Sequence, residues 1–218
     1  MKKAAFTLAE VLITLGIIGV VAALTIPSLI ANYKDKETIV KLKKVYSVLS
    51  QAYQRAVFDN GAPDSWNLVA AGDSQGAQNL ANTLNQYLNV GKNCGPNDGC
   101  YVTQGPDYAK TLLTDGIPLL IYVRNPNCAA NYGSNEELAS VCGSAAVQIN
   151  NHTFEFWLTK ETVVPIGGPD ETFDPFATRC DGKLDDFIPC TAWTIYNENF
   201  DYLRCKSDLS WTGKTKCD

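Results

Sequence analysis

The first thirty residues constrain this chain more than any other stretch. Lys2 and Lys3 are followed at once by an apolar run, and one acid, Glu10, sits inside it. Beyond that acid, Val11 to Ile30 carry no formal charge, enough helix to cross a hydrocarbon core of about 30 Å. A lone carboxylate in hydrocarbon costs roughly 2.5–3.5 kcal/mol on insertion scales, so a residue of this kind needs a partner and normally a function. The lysines place the N-terminus in the cytoplasm by the positive-inside rule and send the rest outward. A plain signal anchor, or a secretory signal peptide cut near Val20-Val21-Ala22-Ala23, would account for the length of the run. Neither accounts for Glu10.

The nonapeptide Ala5-Phe6-Thr7-Leu8-Ala9-Glu10-Val11-Leu12-Ile13 resembles the processing site of type IV pilins and of the pseudopilins of type II secretion. The resemblance implies that prepilin peptidase cuts between Ala5 and Phe6 and methylates the new amino terminus. Ala5 stands where the family usually has Gly. Pro27 matches a proline that the family usually carries, and Gly16 and Gly19 fall where it often has small residues. The cut would create a cation at Phe6, and in an array the Glu10 of an incoming subunit can meet the Phe6 amine of its neighbour. Opposite charges attract strongly in low dielectric, so Phe6 and Glu10 together set the register of assembly. Pro27 removes one helix hydrogen bond and is expected to kink or locally melt the span, although Pro and Gly are also simply common in membrane helices.

The helix is expected to continue past the membrane. Ile39, Leu42, Val45 or Tyr46, Leu49, Ala52 or Tyr53, and Ala56 or Val57 recur at three-to-four spacing, opposite Lys36, Glu37, Lys41, Lys43, Lys44 and Arg55. That is an amphipathic helix, and Asp59-Asn60-Gly61-Ala62-Pro63 stops it. The expected organisation is a leader peptide at 1–5, a helix over 6–58 that spans the membrane at about 8–30, and an exported globular domain over 59–218.

In that domain, Asn67 to Leu88 reads as helix or loop, with Leu68, Leu80, Leu84 and Leu88 as core positions. Strand patterns follow at Leu112-Leu113, Ile117–Val123, Ala145–Ile149 and Thr153–Leu158, with Asn150-Asn151-His152 turning a hairpin. Thr191–Tyr196 is a further strand or a short helix. The fold class is α+β, pilin-like: a long N-terminal helix packed on an antiparallel sheet domain with disulfide-rich loops.

The eight cysteines, Cys94, Cys100, Cys128, Cys142, Cys180, Cys190, Cys205 and Cys217, all follow the membrane helix. An even number in an exported domain argues for disulfides. No Cys-x-x-Cys pair occurs and His152 is the only histidine, so zinc is disfavoured. Eight cysteines allow 105 connectivities; local pairing, each cysteine with the next, is the expectation.

Enzyme chemistry is poorly represented. His152 reads as a surface turn residue with no nucleophile nearby, and Gly167-Gly168-Pro169 reads as a turn. No cofactor is expected. Asp170, Glu171 and Asp174 are oxygen ligands of the type calcium takes, but they match no EF-hand, and a solvated acidic loop is the simpler reading. The net charge is −5; loss of Lys2 and Lys3 with the leader would leave −7. No basic patch exceeds the helix lysines, so nucleic-acid binding by the subunit is not supported.

The resemblance implies a structural, non-enzymatic subunit of a type IV pilus or a secretion pseudopilus. Its partners would be like or related pilins in a helical filament, prepilin peptidase and an inner-membrane assembly platform. Before assembly it would cross the inner membrane once, with its globular domain in the periplasm; in a filament that domain could lie at the cell surface. A low-copy tip subunit, or an anchored binding module displaying a disulfide-rich head, is the alternative.

Overall fold

The structure is a computed structural model that describes residues 7–95, 100, 107–150, 152–172, 180 and 190–218. Helix α1 runs unbroken from Leu8 to Asn60 with Pro27 inside it, ending two residues past Phe58. The chain divides into two compact units, Met1–Glu37 and Thr38–Asp218. The C-terminal part of α1 therefore belongs to the same unit as the sheet.

In the first unit, residues 7–36 are exposed apart from a half-exposed Ala22. Nothing polar is left loose along the apolar run. Thr14 Oγ1 donates to the Val11 carbonyl, Thr25 Oγ1 to Val21 and Ser28 Oγ to Thr25, each at 2.9 Å. Such back-bonding within one turn hides a hydroxyl from an apolar surrounding.

The second unit is built on a meander of six antiparallel strands: β1 (Val90–Gly95), β2 (Ala109–Leu113), β3 (Pro118–Val123), β4 (Val141–Ile149), β5 (His152–Thr159) and β6 (Val163–Pro165), adjacent in sequence order. Helix α2 (Ser74–Asn85) joins the second half of α1 in the core, and α3 (Thr191–Asn197) and α4 (Tyr202–Cys205) follow the sheet.

From Thr38 onward the amphipathic face of α1 goes inward. Ile39, Leu42, Val45, Leu49, Ala52, Tyr53 and Ala56 are buried, in one core with Phe154, Phe156 and Leu158 of β5. Tyr46 stacks on Phe156 at 5.6 Å. The Tyr53 hydroxyl donates to the Thr159 carbonyl, and burial raises that phenol well above its ordinary pKa. The four leucines expected in the core of the next segment, Leu68, Leu80, Leu84 and Leu88, are all buried. Asn150, with φ of 55°, begins the turn into β5, where Ile149 faces His152.

The opposite face of the sheet carries a second set of contacts. Arg124 Nη2 lies 3.2 Å from Glu155 Oε1, and its guanidinium sits 4.7 Å from the Tyr122 ring. Trp157 stacks on Tyr132 at 4.2 Å. Glu155 is only 7% exposed, and a buried acid of this kind is tolerated because it is paired.

The cysteines form four local bridges, Cys94–Cys100, Cys128–Cys142, Cys180–Cys190 and Cys205–Cys217. The two last expected elements resolve differently. Thr191–Tyr196 is helical, because the Thr194 hydroxyl bonds the Cys190 carbonyl at 2.9 Å and the Ala192 amide bonds Ile166 at 2.9 Å. His152 is not a surface turn residue. It is half-buried at the start of β5 and stacks on Phe200 at 4.7 Å.

Candidate functional site: the N-terminal assembly segment

Thr7 and Glu10 define the start of α1. The Thr7 amide donates to Glu10 Oε2 at 2.8 Å, and the Thr7 hydroxyl donates to the same oxygen at 2.7 Å. In return the Glu10 amide donates to Thr7 Oγ1 at 3.3 Å. This is a capping box: the first helical turn has orphan N–H groups, and the Thr-x-x-Glu pair satisfies them reciprocally. A carboxylate in the first turn also complements the helix dipole.

Charge alone points Glu10 to an intermolecular partner and leaves Thr7 without a role; the Thr7-Leu8-Ala9-Glu10 spacing is the sequence signal for the cap. Its consequence is specific. Both bonds to the carboxylate go to Oε2, which leaves Oε1 without a partner among the described residues. Ala5 and Phe6, the expected cleavage pair, lie outside the described residues.

The large side chains after Glu10 are exposed. Leu12, Ile13, Leu15, Ile17, Ile18, Val20, Leu24 and Leu29 are each at least 60% exposed. Fully burying one such side chain is worth about 1.5–3 kcal/mol, so the segment demands an apolar environment supplied from outside the chain. Helix α1 is long and apolar enough over this part to cross a membrane.

The other candidate residues take structural places. Glu171 is buried and accepts bonds from Trp157 Nε1 at 3.0 Å and from the Gly167 amide at 2.8 Å. It holds the Gly167-Gly168-Pro169 turn against β5 rather than standing in a solvated acidic loop. Asp170 is exposed, and its carbonyl receives the Ser134 amide at 2.9 Å. Asp174 lies outside the described residues, and among those described no group of three or more metal-ligating side chains gathers.

Comparison with known proteins accords with this segment. Residues 1–26 match the prokaryotic N-terminal methylation motif. That is the type IV pilin and pseudopilin signature, and it marks the chain as a pilin-like substrate of prepilin peptidase. Residues 28–199 match the family of unknown function DUF6613, and the chain belongs to that family. No curated protein and no solved structure matches it. The motif, the long apolar helix and the α+β layout with four disulfides make this a pilin-related chain, and they point to a structural role and a membrane-anchored precursor.

Proposed function

We propose that this chain is a structural subunit of a helical envelope filament, a type IV pilus or a type II secretion pseudopilus. Prepilin peptidase cuts it before Phe6, and it assembles through the hydrophobic N-terminal helix with like or related pilin subunits on an inner-membrane platform. Until then the N-terminus faces the cytoplasm and the globular unit is exported.

One observation carries this reading: an exposed apolar helix segment begins at a carboxylate with one oxygen that has no partner among the described residues. A membrane covers such a segment in the precursor, and the helices of neighbouring copies cover it in a filament. The open oxygen of Glu10 suits the amine that cleavage creates at Phe6 of a neighbour. Pairing the two removes the penalty of an isolated charge in apolar surroundings.

The test is Glu10→Ala and Glu10→Gln in the native host. Both variants insert in the membrane and are processed, and the yield of sheared filaments falls at least tenfold. Filament yield equal to wild type in both contradicts the assembly role of Glu10.

A further inference from the structure

A cleft of about 490 Å³ opens beside the C-terminal end of α1, within the range of roughly 300–1,000 Å³ common for small-molecule sites. Asn60, Trp66 and Asn67 line it, with Asn79, Asn82 and Thr83 of α2 and the helical C-cap residue Gln86. These last four fall at i, i+3, i+4 and i+7, a single helix face. A solvated helix face normally carries charge. Here α2 carries none from Ser74 to Asn85, and no charged side chain lines the cleft.

The lining groups are held in place. Asn79 Nδ2 donates to the Asn67 carbonyl at 2.7 Å, Asn60 Nδ2 to Tyr87 Oη at 3.0 Å, and Thr83 Oγ1 to the Asn79 carbonyl at 3.0 Å. Asn93 Nδ2 donates to Asn82 Oδ1 at 3.2 Å. A carboxamide offers two N–H donors and an oxygen with two lone pairs. Asn60 Nδ2 also donates to the Ala56 carbonyl at 3.0 Å, and Asn79 Oδ1 accepts from Gln75 Nε2 at 3.0 Å. Anchoring of this kind leaves Asn60 Oδ1, the second Asn79 N–H and the Asn82 amide N–H groups to meet a ligand, with little further ordering required.

The loop beside the cleft is strained as well. Asn67 and Val69 have φ of 55° and 61°. A β-branched residue in the left-handed region is an outlier, and backbone strain of this kind concentrates at ligand-holding loops. Trp66 is only 8% exposed, with Nε1 donating to the Gly61 carbonyl at 3.0 Å. It lines the cleft with little exposed ring surface.

An ionic ligand finds no counter-charge here. A ligand dense in hydroxyls, each both donor and acceptor, finds amides and a hydroxyl that are also both. We propose that this cleft binds a neutral saccharide. The site goes beyond the filament reading: sugar binding can fail while filaments form normally, and the reverse.

The test is saturation-transfer NMR on the full chain in phospholipid nanodiscs, which carry no sugar head group. The probes are glucose, galactose, mannose, N-acetylglucosamine and N-acetylgalactosamine, with N-acetylneuraminic acid as the charged comparison. At least one neutral sugar shows saturable transfer, the acid binds more weakly, and Asn82→Ala and Gln86→Ala each weaken the neutral sugar at least tenfold. Asn82 and Gln86 are exposed and lie at or just past the end of a helix, where alanine is well tolerated. If either variant loses its wild-type melting transition, Gln86→Glu, which keeps length and adds charge, carries the test with the same expected loss. No transfer from any of the five sugars, unchanged affinity in the variants, or equal binding of the acid overturns the proposal.

Discussion

At the scale of single residues, Glu10 caps its own helix through Thr7 and leaves its other oxygen without a partner among the described residues. The cap can be tested apart from the assembly role proposed for that oxygen. Thr7→Ala removes the cap, worth about 1 kcal/mol. In nanodiscs, hydrogen exchange of the first-turn amides should accelerate about fivefold; unchanged exchange would show that the capping box does not hold there.

Asp201 is a second residue whose surroundings fix its charge. It is 6% exposed, accepts the Cys217 amide at 2.8 Å and pairs with the Arg204 guanidinium. Burial pushes its carboxyl up, but the bonds from Arg204 and Cys217 and the charge of Lys216 outweigh it and hold the pKa below the ordinary value. A depressed acid stabilises the fold above its unfolded pKa of about 3.9, and that contribution is lost as pH falls through the lower folded value. Asp201→Asn should therefore cost about 1–3 kcal/mol near neutral pH. Urea titrations should show the gap from wild type closing only below about pH 4. A gap that stays constant down to pH 2 would contradict this assignment.

At the scale of elements, α2 depends on one glycine. A Cβ on Gly76 would stand 1.8 Å from the Leu68 carbonyl oxygen. Helix propensity alone makes Gly→Ala stabilising by about 1 kcal/mol. Here the backbone contact reverses the sign, and Gly76→Ala should destabilise by about 1–3 kcal/mol in thermal or chemical unfolding. A stabilised variant would mean that α2 does not lie so close to the Leu68 loop.

The elements also show why some structure was legible in the sequence and some was not. The inward face of α1 and strands β3, β4 and β5 declare themselves through apolar periodicity, because each buries a full face. β1 does not: Val90–Gly95 contains Gly91, Lys92 and Asn93 and lies largely exposed at a sheet edge with two register shifts. Edge strands are commonly short, charged and bulged, which erases the pattern. β6 is three residues ending in Pro165 at the other edge, again the place that tolerates proline. Thr191–Tyr196 reads as either strand or short helix, because threonine and aromatics favour a strand while the segment is short; its bonds to Cys190 and Ile166 go with the helix. The amide face of α2 is visible in the sequence, yet only the fold brings Asn60 and Asn67 beside it.

At the scale of the whole molecule, the two compact units have opposite needs. Residues 1–37 hold an apolar segment whose large side chains are exposed. Residues 38–218 enclose a continuous core of their own and are stapled by four bridges. Each bridge closes a short loop and contributes about 2–3 kcal/mol, mainly by restricting the unfolded chain. Replacing both Cys205 and Cys217 by Ser should lower the melting temperature of the second unit while leaving membrane insertion intact; an unchanged melting curve would show that this bridge adds nothing. Cysteine spacing made the pairing readable in advance because each bridge joins neighbours in sequence.

Cleavage before Phe6 followed by life in a filament is decided by the intact mass of this protein recovered from filaments sheared or extracted from the native envelope. The expected chain lacks Met1–Ala5 and carries one added methyl group at Phe6. A full-length chain in that fraction, or a processed chain found in membranes but absent from every filament, would contradict it.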